Sequence, residues 1–333
     1  MISPTVQKLL IFLDGPAKKE AILLLMLMLV VSILDAIGIA SIMPLIMVII
    51  DPEIINSNLL IKPFWKFSQE IIGLNAPQFI VFFGLSLFFV LILTLALRGA
   101  LTFWQLNFSS RLEYKVSVWL MSRYLKLPYE LTFRRSSGEL GAKILTEVST
   151  VIYQSLIPTL IIFTHSFVAI AMLSVLVVVD GYAAIIVGTT LGFLYTLIVL
   201  LTRKKVDTLG KERLSYNEER FSIFNQSIRG FKDIKLSNNE GIYLKRFTDA
   251  SKPYAVNWAK GQIIAQSPRY LIEAIAFGGM LLFLIYNSIY NVSIINAFPN
   301  IALYALVSYR LLPSMQQIYS NLSNIQFAYP SLT

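Results

Sequence analysis

Residues 79–97 read FIVFFGLSLFFVLILTLAL and contain no charged side chain. An apolar stretch of about 20 residues is long enough for a helix to cross the hydrocarbon core of a bilayer. Five other segments have a similarly apolar character, namely residues 21–50, 151–179, 182–201, 270–286 and 294–312. The sequence therefore predicts an all-α membrane protein with six transmembrane helices.

The composition supports this prediction and excludes several other classes. Of the 333 residues, 56% are hydrophobic and 14% are charged, whereas soluble domains have about 25% charged residues. Although the net charge is +9, we expect membrane topology rather than nucleic acid to account for it. Because cysteine is absent and histidine occurs once, we expect no disulfide, thiol nucleophile or metal site.

The distribution of Lys and Arg predicts the orientation of the chain. Residues 1–20, 108–150 and 202–262 carry 23 of the 28 basic residues, and residues 51–78 carry two. Basic residues concentrate on the cytoplasmic side of membrane proteins. We therefore expect both termini and both long basic segments to be cytoplasmic.

The two long basic segments, 108–150 and 202–262, keep apolar residues at helical spacing between their charges. Each is expected to contain a descending helix, a short crossing segment and an ascending helix. The breaks are predicted near Pro128 in the first segment, and near residues 229–232 and 237–239 in the second. Arms of about 20 residues would extend the spans by roughly 30 Å into the cytoplasm. Two loosely folded basic loops are the alternative.

Two shorter amphipathic helices are predicted at the membrane surfaces. Residues 1–20 contain apolar residues on one helical face, which indicates an elbow helix on the inner surface. Residues 63–73 include Phe64, Trp65 and Phe67, and aromatic residues are typical of the membrane interface. This second helix is expected on the outer side, with packing or function as alternative roles.

Three ionisable residues of the spans are the first candidates for function, because a charge inside a membrane is costly unless something compensates it. Arg310 lies about 20 Å from the outer end of its predicted span. It could face the interior and bind substrate, or it could form an internal salt bridge with Asp35. Arg98 lies near the inner end of its span, where extension of the side chain to the headgroups would suffice and a substrate role is the alternative.

Structural roles are favoured for the remaining ionisable residues of the spans. Arg269 and Glu273 are four residues apart and can form a pair on one helix face. His165 lies in the middle of the third span, between Thr164 and Ser166. We expect a hydrogen-bonded structural histidine there, since a proton relay would need further titratable groups nearby.

Six spans with two long helical inner segments resemble the transmembrane half of an ATP-binding-cassette (ABC) exporter. The sequence LPYE at 127–130 with SGEL at 137–140 is similar to the first inner-loop motif of that family, and IRGFKDIKL at 228–236 with YLKRF at 243–247 to the second. The resemblance implies a type-1 exporter transmembrane fold over residues 21–320 and a domain-swapped homodimer.

Three stretches are similar to the branch that contains the lipid-linked oligosaccharide flippase of bacterial protein glycosylation. They are LDAIGI at 34–39, YRLLPS at 309–314 and the outer helix, although relatives commonly have Glu where this chain has Asp35. This resemblance implies a bacterial inner-membrane flippase for an amphipathic lipid-linked substrate. Arg310, Arg98 and Asp35 are then the candidate substrate-binding residues, with Arg310 suited to a lipid pyrophosphate.

The resemblance also implies coupling to a cytoplasmic nucleotide-binding domain through residues 133–139 and 228–236. The candidate coupling residues are Phe133, Arg134, Arg135, Ser136, Gly138, Glu139, Arg229, Gly230, Phe231, Lys232 and Asp233. The chain contains no G-x-x-x-x-G-K-[ST] loop, so we expect no catalytic residue and no cofactor in it. ATP and Mg²⁺ are expected on a nucleotide-binding domain that is fused beyond a linker beginning at 321–333 or is a separate polypeptide.

The full protein or complex is therefore expected to be an ATP-hydrolysing translocase, with membrane lipid, a second copy and the nucleotide-binding domain as partners. An exporter of another lipid, a polysaccharide or a peptide is the alternative within the family. An integral membrane glycosyltransferase is the alternative from another class, but it would need clustered carboxylates or histidine at the membrane surface. A passive channel is a third, which gives the long inner arms no role.

Overall fold

The computed structural model describes residues 15–50, 62–73, 75–126, 128, 146–289 and 294–332, and their structure is almost entirely helical. A π-helical turn, Ile152–Leu156, joins the helices Val148–Val151 and Ile157–Val179, and a 3₁₀ turn, Tyr329–Leu332, follows the helix Ile294–Ala328. The helices, numbered in chain order, are α1 (Gly15–Ala40), α2 (Ile42–Ile50), α3 (Lys62–Ile72), α4 (Ala76–Leu125), α5 (Val148–Val151), α6 (Ile157–Val179), α7 (Gly181–Arg229), α8 (Phe231–Leu236), α9 (Glu240–Gln266), α10 (Pro268–Ile289) and α11 (Ile294–Ala328).

Four helical segments of the described residues are long and apolar enough to cross a membrane. Their most apolar stretches have mean hydropathies between 2.3 and 2.8. The segments are Gly15–Ile49, Pro77–Leu125, Val148–Val179 and Ala184–Arg229. They coincide with the first four predicted spans and confirm an all-α membrane protein. The fifth and sixth predicted spans fall on α10 and α11, which are helical; that they cross the membrane remains a prediction.

The predicted first span is interrupted at Ser41, between α1 and α2. The cause is Pro44, which lacks the N–H that would bond the carbonyl four residues earlier and whose ring crowds that carbonyl. At the inner end, α1 already begins at Gly15. Residues 15–20 of the predicted elbow helix therefore continue directly into the span, and residues 1–14 lie outside the described residues.

Two helices, α4 with 50 residues and α7 with 49, continue from the spans into the basic segments as arms. At 1.5 Å per residue each is about 75 Å long. Helix α4 ends at Leu125, as predicted from Pro128, which disfavours helical geometry in the residue before it. The described parts of both basic segments are thus helical arms rather than loose loops.

The second basic segment breaks where the sequence predicts. Gly230 separates α7 from α8, and its N–H donates to the carbonyl of Gln226 at 2.9 Å. After α8, Asn238 takes a left-handed conformation with φ of 54°, which Asn tolerates better than most residues. The short helix α8 therefore crosses between the arms α7 and α9.

The amphipathic helix predicted at 63–73 is present as α3, and it is followed by Gly73, whose φ is +69°; that it lies on the outer side remains a prediction. Its Trp65 ring meets the ring of Phe79 edge to face, with centroids 5.1 Å apart. Phe79 in turn stacks on Phe83 at 5.8 Å and packs with Val48. Helix α3 is therefore attached to the C-terminal end of α2 and the N-terminal end of α4.

Two apolar clusters hold the spans together, and α6 contributes to both. The first joins α1, α4 and the α5–α6 region around Met28. The second joins α1, α6 and α11 around Met172, and includes Ala36 and Leu311. Since these last two residues directly follow Asp35 and Arg310 in the sequence, the packing brings two candidate residues to the same depth.

Candidate functional site

Asp35 is the centre of a charged cluster inside the spans. Its Oδ1 accepts a hydrogen bond from Arg310 Nη2 at 2.8 Å, and its Oδ2 forms an ion pair with Arg98 Nη2. The three residues come from α11, α4 and α1, and Arg310 is 275 positions from Asp35. We call Asp35, Arg98 and Arg310 the span cluster.

The helical spacing of α1 explains why Asp35 points inward. Leu24, Met28, Val31 and Asp35 are all buried, and they follow one another at intervals of three or four residues. Asp35 thus lies on the packed face of α1, with 4% of its side chain exposed. A carboxylate on that face must find a cationic partner inside the protein.

The span cluster is unbalanced in charge, because two guanidinium groups share one carboxylate. Arg98 retains 30% and Arg310 retains 24% of its side-chain exposure. In addition, Nε of Arg310 is buried and has no hydrogen-bond partner among the described residues. The cluster therefore carries one excess positive charge on two partly accessible side chains.

The structure confirms the Arg310–Asp35 salt bridge that the sequence offered as one alternative. It corrects the expectation for Arg98: this side chain pairs with Asp35 instead of extending to the headgroups. The number of carboxylates in the predicted spans was the signal that could have predicted the Arg98–Asp35 pair. The predicted spans contain two carboxylates, Asp35 and Glu273; since spacing already pairs Glu273 with Arg269, Asp35 was the carboxylate left for both Arg98 and Arg310.

His165 lies beside the span cluster, close enough to interact electrostatically with Arg98 and Arg310. The preceding Thr164 accepts a hydrogen bond from Gln105 Nε2 at 3.2 Å. Contrary to the expected hydrogen-bonded histidine, Nδ1 of His165 is buried and has no hydrogen-bond partner in the described part of the chain.

Arg269 and Glu273 form the pair expected from their spacing, with Nε and Oε1 2.7 Å apart. Arg269 keeps 59% of its side-chain exposure, so this pair differs from the buried span cluster. Within the described ranges, no group of three or more His, Asp and Glu residues could hold a metal ion.

The candidate coupling residues Arg229 to Asp233 surround the break between α7 and α8. Ile228, Phe231 and Leu236 are exposed apolar residues there. Lys235 Nζ donates to Glu240 Oε1 at 2.8 Å, which fastens α8 to α9 and lowers the pKa of Glu240. The first coupling segment, with Phe133, Arg134, Arg135, Ser136, Gly138 and Glu139, lies outside the described residues.

Comparison with protein families identifies this arrangement. The family model described as the ABC transporter transmembrane region matches residues 21–312. The chain belongs to this family. The matched residues include all the predicted spans, the whole span cluster and the coupling segment around α8.

As an ABC transporter transmembrane region, the chain is a multi-pass membrane protein and the membrane part of a transporter. Regions of this family generally dimerise and pair with nucleotide-binding domains. The match concerns the transmembrane region alone, in agreement with the missing phosphate-binding loop of the sequence. The span cluster is then the best-formed candidate for contact with a transported molecule.

Proposed function

We propose that this chain is the membrane half of an ATP-driven flippase that moves an anionic, amphipathic lipid-linked substrate, such as a lipid-linked oligosaccharide, to the outer leaflet. It works as a homodimer in the bacterial inner membrane with both termini in the cytoplasm. The observation that carries the proposal is the excess positive charge of the span cluster. That charge would attract an anionic headgroup and would contribute nothing to the binding of a neutral lipid.

A diphosphate group fits the donors of the span cluster. Arg98 and Arg310 each offer a planar fork that can donate two parallel hydrogen bonds to phosphate oxygens. Asp35 holds both forks in place when no substrate is bound. Because it has only two oxygens, it is a weaker acceptor than a diphosphate, which can therefore displace it. In a homodimer the cluster occurs twice, so two excess charges are available to a dianionic headgroup.

The energy would come from ATP and Mg²⁺ bound to a nucleotide-binding domain, fused or separate. Helix α8 exposes apolar side chains at the cytoplasmic tip of the α7 and α9 arms, and such a surface suits contact with another domain. Movement of that domain would reach the spans through 228–236 and, from the first basic segment, 133–139.

The test uses the complete transporter, with its ATPase domain, in proteoliposomes. A diphosphate-linked oligosaccharide lipid, its monophosphate counterpart, a neutral glycolipid and a phospholipid are compared for stimulation of ATP hydrolysis and for flipping. We expect the diphosphate lipid to be the best substrate. Equal flipping of the neutral glycolipid would contradict the proposal.

Variants of Arg310 separate binding from structure. Arg310→Lys keeps the charge but loses the fork, and we expect strongly reduced flipping with basal ATP hydrolysis retained. Arg310→Ala should also lose flipping yet express well, because Arg98 still neutralises Asp35. Arg269→Ala, at the exposed pair, is the matched control. Recovery of flipping in Arg310→Ala combined with Asp35→Ala would show that Arg310 is only a structural partner.

A further inference from the structure

A second charged cluster lies in the cytoplasmic arms and is fully buried. Arg213 on α7 has 0% of its side chain exposed, and its Nη2 lies 3.7 Å from Glu147 Oε2. The other carboxylate oxygen of Glu147 accepts a hydrogen bond from Asn217 Nδ2 at 3.0 Å. Glu147 directly precedes α5, so this network connects α7 with the end of the first basic segment.

A third helix reaches the same place through Phe327, near the end of α11. The guanidinium of Arg213 lies over the Phe327 ring, 5.6 Å from its centroid, a favourable cation–π geometry. The Trp258 ring of α9 meets Phe327 edge to face at 5.9 Å. We call Glu147, Arg213, Asn217 and Phe327 the arm junction.

Two glycines allow this close approach. A Cβ atom at Gly210 would lie 2.5 Å from the Phe327 carbonyl oxygen, and one at Gly261 would lie 2.7 Å from its ring. Such distances are shorter than real side-chain contacts, so a side chain at either position would collide with Phe327. The two glycines leave the space on α7 and α9 that Phe327 occupies. The end of α11 is therefore seated at one defined position between the two arms.

Arg213 and Phe327 lie at similar distances beyond the ends of their predicted spans. Arg213 follows the end of the fourth predicted span by 12 residues, which is about 18 Å along a helix. Phe327 follows the end of the sixth by 15 residues, which is about 22 Å. A nucleotide-binding domain acting on the cytoplasmic ends therefore has to work through helices that this junction connects.

We infer that Arg213 is a positioning residue of the transport cycle. It joins the helical segment that begins after Glu147, the α7 arm that leads to the second coupling segment and the end of α11, so that they move as one body. The inference rests on the proposed function only in requiring that an ATPase drives the chain from the cytoplasmic side. The identity of the transported lipid does not enter.

A purely structural role would not require these charges. Replacing a buried ion pair by uncharged residues of similar size is often neutral for stability or even stabilising. The double variant Arg213→Met with Glu147→Gln keeps the volume, and Gln retains an acceptor for Asn217. This variant therefore separates stability from coupling.

The experiment measures movement directly, in the complete dimeric transporter. This chain contains no cysteine, so Tyr182→Cys, at the exposed end of α7, is the single labelling site of each transmembrane region; any cysteine of the nucleotide-binding domain is replaced first. The distance between the two labels is measured without nucleotide and after trapping with ATP and vanadate. Flipping of the diphosphate lipid per ATP hydrolysed is measured on the same preparations.

The matched control is Arg220→Met, also on α7. The Arg220 guanidinium lies 4.0 Å from the centroid of the Tyr254 ring, so this contact connects α7 with α9 and involves neither Glu147 nor Phe327. We expect the Arg213→Met, Glu147→Gln double variant to be as heat-stable as wild type, to lose the nucleotide-dependent distance change and to flip about tenfold less lipid per ATP. Arg220→Met should keep both properties.

Each other outcome also decides. A double variant that keeps the distance change and the flux per ATP would overturn the inference. If wild type changes distance with nucleotide but flips no lipid of the panel, the substrate proposal fails while Arg213 is still tested by the distances. If wild type shows no nucleotide-dependent distance change, both proposals fail. Should the double variant not fold, Phe327→Leu removes the stacked ring alone and is expected to give the same loss of coupling.

Discussion

The span cluster and the arm junction are both built around buried charge, but they differ in balance and in access. In the span cluster two guanidinium groups share Asp35, and both retain about a quarter of their exposure. In the arm junction one guanidinium faces one carboxylate and is completely enclosed. An uncompensated charge on accessible side chains suits a site that binds and releases a ligand. A balanced, inaccessible ion pair suits a permanent contact between helices. The first two of the following predictions test this difference and the other two concern α8, in order of decreasing effect on stability.

The largest effect is expected from Asp35→Asn, which leaves Arg98 and Arg310 unpaired beside each other inside the membrane. Removing one partner from a buried ion pair costs about 3–5 kcal/mol. We expect a strong fall in folded yield and in the melting temperature in detergent. Adding Arg98→Gln to Asp35→Asn should restore part of the yield. A yield for Asp35→Asn equal to wild type would show that the carboxylate does not hold the cluster together.

Gly210→Ala comes next, because the new Cβ atom meets the backbone of Phe327 rather than a flexible side chain. Overpacking of this kind costs about 1–3 kcal/mol, and we expect a lower melting temperature by differential scanning fluorimetry. Gly192→Ala is the control on the same helix, since nothing lies within 4 Å of its added Cβ. Equal melting temperatures for the two variants would mean that α11 is not seated against α7.

Gly230→Pro should destabilise the fold less than Gly210→Ala does, but it should impair transport more. It removes the hydrogen bond from the Gly230 N–H to the Gln226 carbonyl, worth about 1 kcal/mol, and its ring crowds the same carbonyl, but at a point where the helix already ends. We expect normal membrane insertion, with ATP hydrolysis uncoupled from transport in the complete protein. Substrate-stimulated turnover and flux equal to wild type would remove α8 from the coupling route.

The smallest effect is expected from Lys235→Ala, at the exposed pair with Glu240. Exposed ion pairs contribute little to stability, so the melting temperature should stay unchanged near neutral pH. The pair lowers the pKa of Glu240, so any stability it contributes is present above the ordinary glutamate range and is lost as pH falls. A large destabilisation at neutral pH would indicate that α8 depends on this contact.

Much of the fold follows from local sequence. Long uncharged runs predict the first four spans, and Pro128, Gly230 and Asn238 mark breaks that the helices respect, because these signals depend on neighbouring residues only. The interruption at Ser41 was not predicted, although Pro44 supplies its cause. Whether α10 and α11 cross the membrane is still a prediction.

The sites were predictable only in part, because they depend on contacts between distant helices. Asp35 was named as a partner for Arg310, but its second partner was missed, since a local pattern does not show which helices lie at equal depth. Arg213 was missed because it occurs among many solvated basic residues. The available signal was its spacing: Val206, Gly210, Arg213 and Asn217 follow one another at three or four residues and are all buried.

Arg213 divides helix α7 into two unequal lengths. From Arg213 to Arg229 the helix measures about 24 Å, and from Arg213 back to Gly181 about 48 Å. If the helices joined at the arm junction rotate together about that point, the long side of α7 is twice the short side. A sideways shift of about 1 Å at α8 then becomes a shift of about 2 Å in the opposite direction at the Gly181 end of α7. A small movement at α8 is therefore enough to displace the other end of this helix.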